Sequence, residues 1–189
     1  MALPPRERLR LFVALELPDH VRAGLGRTIE PFLAVPSFRW VPPANYHVTV
    51  RFLGSVQEPR LRELTASLSE VARRSVVFRT KITGFGSFPG GGGPARVLWA
   101  GLDDGSGSLA ALASQVEARL SGWFPAQGAD YTPHVTLARC DPPREAPEDW
   151  HATQFPAEPF NLRWLTLFQS RFGAQGPRYE RLQRFPFRG

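Results

Sequence analysis

His-Val-Thr followed by an aliphatic residue occurs twice in this chain, as His47-Val48-Thr49-Val50 and as His134-Val135-Thr136-Leu137, about half the chain apart. Side chains of a strand alternate between the two faces of its sheet. Each copy therefore puts an imidazole and a hydroxyl on one face and two aliphatic groups on the other. The aliphatic face has to be buried, so each copy predicts a strand packed on a core with His and Thr turned away from it. One such strand constrains little. Two in the same phase predict a duplicated architecture in which both strands present the same polar pair.

The rest of the chain supplies the partners these strands need. Leu9, Leu11, Val13, Leu15 and Leu17 alternate with Arg10 and Glu16, which predicts a strand, and no small-residue cleavage site follows to suggest a signal peptide. Val21, Leu25, Ile29 and Phe32 recur at helical spacing after Asp19, a candidate cap. A second helix is expected from Glu58, with Pro59 in its first turn and Leu61, Leu64, Leu68 and Val71 inward. A third, capped by Ser106 or Ser108, carries Leu109, Leu112, Val116 and Leu120. Strands are expected on both sides of the glycine-rich tip at 90–93, in "FNLRWLTLFQS", and in the closing "GPRYERLQRFPF". Strands and helices in this order, with the repeat across the middle, predict a two-lobed α+β fold.

A chain of 189 residues, 42% of them hydrophobic, suits a single soluble domain, and no apolar run is long enough to cross a bilayer. Cys140 is the only cysteine, so an internal disulfide and a thiolate metal cluster are excluded. Nothing in the sequence directs the chain elsewhere, so a cytoplasmic monomer is expected. The net charge is +6, and Lys81 is the only lysine among the basic residues. Arginine offers phosphate a planar fork of donors, so the charge fits an anionic partner such as RNA. An arginine-rich surface also arises from coding bias with no ligand, and charge alone leaves both readings open.

Two imidazoles facing one cleft make a general acid and a general base. A threonine two residues after each adds a hydroxyl that can hold a phosphoryl oxygen. No HExxH motif, paired carboxylates or activated nucleophile accompanies them, so the set points to phosphodiester chemistry without metal or cofactor. Strict alternation from His47 puts Arg51 on the cleft face as a phosphate ligand. Alternation from His134 sends Arg139 to the opposite face, from which it reaches the cleft only through a bulge or twist, so Arg139 ranks below Arg51. Tyr46 and Tyr131 flank the motifs as stacking candidates or, more simply, as core or rim packing. His20 and His151 are expected on the solvated surface.

The two motifs resemble the paired HxTx motifs of the 2H phosphoesterases. Their surroundings resemble the branch of bacterial and archaeal RNA 2′,3′-cyclic phosphodiesterases, also called 2′-5′ RNA ligases. The likeness runs in order through "FVALELP", "WVPPANYHVTVRFLG", "FGSFP", "PARVLWAGL", "YTPHVTLAR" and "LFQSRFGAQGPRYERL". It implies two lobes related by a pseudo-twofold axis, each an antiparallel sheet backed by helices, with one HxTx strand of each lining a central cleft. The lobe carrying both termini, about 1–37 and 126–189, would hold His134, and the middle lobe, about 38–125, would hold His47. The resemblance further implies His47 as proton donor, His134 as proton acceptor, and Thr49 and Thr136 as phosphate ligands. Arg139 matches the family's "LAR". The implied reaction opens a terminal RNA 2′,3′-cyclic phosphate to a 2′-phosphomonoester, with 2′-5′ ligation as a related activity. Two other readings stand beside it: a non-catalytic RNA-binding module, and a 2H esterase acting on a small cyclic nucleotide or an ADP-ribose-derived cyclic phosphate.

Overall fold

β1 (Arg8–Glu16) is buried on both faces, and that decides its place. Leu9, Leu11, Val13 and Leu15 point into the core as the alternation predicts, and Phe12 and Ala14 on the other face are covered as well. A strand covered on both faces belongs in the middle of a sheet. β1 indeed lies between β3 (His47–Gln57) and β9 (Trp164–Gly173), antiparallel to both. The computed structural model describes residues 8–127, 131–173 and 176–189. Residues 1–7, 128–130 and 174–175 lie outside them.

The remaining strands are β2 (Arg39–Trp40), β4 (Phe78–Thr80), β5 (Ile82–Phe88), β6 (Ala95–Leu102), β7 (His134–Arg144), β8 (Phe160–Leu162) and β10 (Gly176–Pro186). Eight strands form one antiparallel sheet in the order β10-β9-β1-β3-β7-β6-β5, with β2 added alongside β7. β4 and β8 pair separately. β3 and β7 are registered through one residue pair, Val48 with Val135, so the sheet is pinched between its two halves.

Three helices cover the core face: α1 (Asp19–Thr28), α2 (Leu61–Arg74) and α3 (Ser108–Leu120). Val21, Leu25 and Ile29, then Leu64, Leu68 and Val71, then Leu109, Leu112, Val116 and Leu120 are buried, as their spacing predicts. The expected caps are not the ones used. Asp19 is the first residue of α1, pairing with Arg22, and caps nothing. Ser106 and Ser108 hydrogen-bond each other through their hydroxyls and the Ser108 amide reaches Ser106 Oγ at 3.4 Å, but the shorter bonds from the free amides of α3, from Leu109 and Ala110 at 2.8 Å each, go to the Asp104 carboxylate.

The assignment of segments to halves also needs correction. β1, β9 and β10 join the His47 strand, and β5 and β6 join the His134 strand. Helices α2 and α3, from the same middle segment as β5 and β6, pack on the His47 half. Each half is therefore woven from both stretches of chain. Local pattern marks β1 as a strand, but its partner is chosen by which neighbour covers Phe12 and Ala14.

Candidate active site

β3 and β7 share one local irregularity, and it determines what faces the cleft. On β3 the register runs Ala14 with Thr49, then Val13 with Arg51, leaving Val50 as an extra residue. On β7 it runs Trp99 with Thr136, then Leu98 with Ala138, leaving Leu137 as the extra. A bulge breaks the alternation, so two successive residues turn to the same side. Val50 and Arg51 are both buried, as are Leu137 and Ala138. Beyond the bulges Phe52 and Arg139 come out on the His/Thr face, and the first nine positions of the two strands share one alternation of burial.

The ranking of the two arginines is thereby reversed. Arg51 is 1% exposed and pairs with Glu117 of α3, while its Nη2 donates to the carbonyl of Pro125 at 2.9 Å. It fastens β3 to the end of α3 and does not enter the cleft. Arg139 is exposed on the motif face. Its charge acts on both imidazoles, lowering the pKa of each.

The imidazoles are held alike. His47 Nδ1 lies 2.7 Å from the Asn45 carbonyl, and His134 Nδ1 lies 2.7 Å from the Thr132 carbonyl, each two residues upstream. A carbonyl only accepts, so each Nδ1 carries the proton and each Nε2 is left for a ligand. Counting one residue outward from the Val48–Val135 pair sets His47 across from Thr136 and Thr49 across from His134. The four side chains make a two-by-two patch, each half-buried, over a pair of fully buried valines. His47 also senses the charge of His134. The arrangement can hold one anion between two imidazoles and two hydroxyls.

Comparison with known proteins places this geometry in a family. Residues 15–99 match the model described as LigT like Phosphoesterase. An RNA 2′,3′-cyclic phosphodiesterase of Thermus thermophilus is 33% identical over 96% of this chain and 91% of its own length. One of Aquifex aeolicus is 39% identical over 104 residues, a stretch of 53% of this chain and 54% of that protein. A crystal structure of a Thermus thermophilus protein superposes with a TM-score of 0.80 at 30% identity, covering 96% of this chain and 99% of the other. This chain belongs to the LigT-like phosphoesterases.

In this phosphoesterase the cleft also has aromatic walls that motif reasoning did not identify. Phe12, Tyr179 and Phe168 lie 4.9, 5.1 and 6.1 Å from the His47 ring, Tyr179 edge-on. Phe88 stands edge-on to His134 at 5.1 Å, with Trp99 at 6.3 Å. Trp99 lies across its neighbour strand, where a Cβ on Gly86 would collide with the indole. The signal was present in the pattern: Phe12 and Trp99 sit in phase with Ala14–Thr49 and with Thr136. The phase shows only once the strand pairing is known.

These walls set the electrostatics of the phosphoesterase site. Burial pulls the His47 pKa down to about 4, against the opposing pull of the Asn45 carbonyl, and Arg139 and His134 lower it further. Burial lowers His134 in the same way, the Thr132 carbonyl opposing and Arg139 assisting. Tyr46 is 2% exposed, and Tyr131 donates its hydroxyl to the Thr49 carbonyl at 3.2 Å. His20 and His151 are exposed. Among the described residues no three of His, Cys, Asp and Glu gather as metal ligands, and no helix is long and apolar enough to cross a membrane.

Proposed function

We propose that this phosphoesterase opens the terminal 2′,3′-cyclic phosphate of RNA to a 2′-phosphomonoester by histidine acid–base catalysis. The observation that carries the reading is the matched pair of imidazoles, each with Nδ1–H tied to a carbonyl and Nε2 free, beside the two threonines. The names of the relatives supply the substrate class.

In this mechanism Thr49, Thr136 and Arg139 hold the non-bridging oxygens. His134 Nε2 takes a proton from water as the water oxygen bonds to phosphorus. The P–O3′ bond breaks, and His47 Nε2 delivers its proton to O3′. Solvent then returns the two rings to their starting states. A 5′-hydroxyl of a second RNA end in place of water gives a 2′-5′ linkage by the same bond changes. Relief of strain in the five-membered cyclic phosphate drives the opening, and no step calls on a metal or nucleotide cofactor.

An oligonucleotide ending in 2′,3′-cyclic phosphate, incubated with the protein and EDTA, tests the reading. The expected product is the 2′-phosphate at an undiminished rate. A 3′-phosphate product, or activity lost in EDTA and restored by a divalent ion, overturns the mechanism.

A further inference from the structure

A recess opens beside His47, lined by Glu16, Asn45, Phe168, Tyr179 and Arg181 among others. The two halves differ here: Glu16 is the cross-strand neighbour of His47, and Gly101 takes that place beside His134. Glu16 is 8% exposed and clamped by two arginine forks: Arg181 through Nε and Nη2 at 2.9 Å each, Arg184 through Nε at 2.9 Å and Nη2 at 2.5 Å. The Thr166 hydroxyl adds a fifth hydrogen bond at 2.7 Å. Burial alone would raise the Glu16 pKa, but the hydrogen bonds from Arg184, Thr166 and Arg181 outweigh it and hold it at about 2. One fixed carboxylate between two guanidiniums leaves a positive charge in excess. Arg181 lines the recess, Arg184 is not among its lining residues, and Nη1 of Arg181 is not used on Glu16.

We propose that this recess receives the terminal nucleoside of the RNA together with the phosphodiester on its 5′ side. The inference rests on the reading above in which His47 is the proton donor. In-line displacement puts the incoming and departing oxygens on opposite sides of phosphorus, so the acceptor and the donor bracket it. The departing O3′ remains attached to its ribose, and the nucleoside therefore lies on the donor's side. There Phe168 and Tyr179 offer rings to the sugar and base, and Arg181 offers a cation to the next phosphate. A free cyclic mononucleotide lacks that phosphodiester. The recess thus makes the enzyme selective for RNA ends over small cyclic nucleotides.

The test compares kcat/KM on a dinucleotide ending in 2′,3′-cyclic phosphate with that on the matching cyclic mononucleotide. The wild type should favour the dinucleotide by about tenfold or more, the contribution of one charge-assisted contact. Arg181→Gln should shrink that preference toward unity, chiefly through KM. Arg184→Gln removes the same unit of charge from the Glu16 cluster but leaves Arg181 lining the recess, so it should keep most of the preference, which separates direct phosphate contact from net charge. Tyr179→Leu should raise KM for both substrates. Equal wild-type rates on the two, equal loss of preference in the two arginine variants, or a KM rise in Trp99→Phe rather than Tyr179→Leu would overturn the inference while leaving hydrolysis intact. No hydrolysis of either substrate would instead overturn the reading beneath it.

Discussion

Val48 faces Val135 across the pinch in the sheet, the single registered pair between β3 and β7, and both side chains are fully buried. Each valine lies next to a histidine in sequence, so this contact sets the separation of the two imidazoles. Val135→Ala removes two methyl groups from a packed site and should cost about 2–3 kcal/mol of stability. Chemical denaturation measures that loss. Turnover at a temperature where the variant is fully folded should fall as well, since small displacements of reacting groups are costly. Turnover that simply tracks the folded fraction would show that the pair only stabilises.

Replacing either imidazole separates catalysis from binding. His47→Ala and His134→Ala should each lower turnover by about 10²–10⁴-fold, the usual range for one acid–base group. RNA affinity should change far less than turnover, because arginine supplies most of the phosphate electrostatics and the cost of protonating His47 offsets much of what its charge adds. The double variant should be scarcely slower than either single one, since acid and base act in one step. Single-turnover rates and equilibrium binding report the two quantities independently. Weakened binding with full activity would make the histidines RNA ligands and leave a binding module.

Arg51 and Arg139 should fail in different ways. Arg139→Ala should weaken RNA binding and reduce the slope of log K against log salt by roughly 0.7, one phosphate contact to a single strand. Arg51→Ala should leave that slope alone and destabilise the fold by about 3 kcal/mol, because it removes a buried cation from Glu117 and the Pro125 carbonyl. Thermal melts and salt titrations of the two variants check both outcomes. A changed salt slope in Arg51→Ala would return that residue to the cleft.

That contrast shows what the sequence made legible. His47, Thr49, His134 and Thr136 could be placed on one face because two-residue alternation holds over so short a stretch. The helical core positions were legible for the same reason, since a periodic stripe needs no knowledge of its partner. Arg51 and Arg139 came out reversed because an extra residue just before them, at Val50 and at Leu137, inverts the positions directly beyond it. Nothing in the composition of "VTVRF" or "VTLAR" marks a bulge, which is a property of the pairing. Glu16, Phe12, Trp99 and Tyr179 reach the site by strand adjacency across distant parts of the chain. Local pattern carries no record of that adjacency, and the same gap put β1 in the wrong half.

Anion binding and proton uptake should be coupled at His47. In the free protein burial holds this ring at a pKa of about 4, so at neutral pH it is uncharged and holds no Nε2 proton to donate. An anion between the two imidazoles stabilises the imidazolium and raises that value. Binding of inorganic phosphate at pH 7 should therefore take up protons, and calorimetry in two buffers of different ionisation enthalpy measures the number. The stability of the empty protein follows the same sign. The unfolded His47 titrates near 6.5 and the folded one near 4, so as pH falls through that window the unfolded chain binds the proton more readily and stability declines. The decline should level off below about pH 4, as far as His47 is concerned, and bound phosphate should reduce it. NMR titration of the His47 ring, free and with phosphate, gives the two pKa values directly. A free-enzyme value at or above 6.5, unmoved by phosphate, would mean that the aromatic wall of Phe12, Phe168 and Tyr179 does not desolvate the ring, and that the donor is charged before substrate arrives.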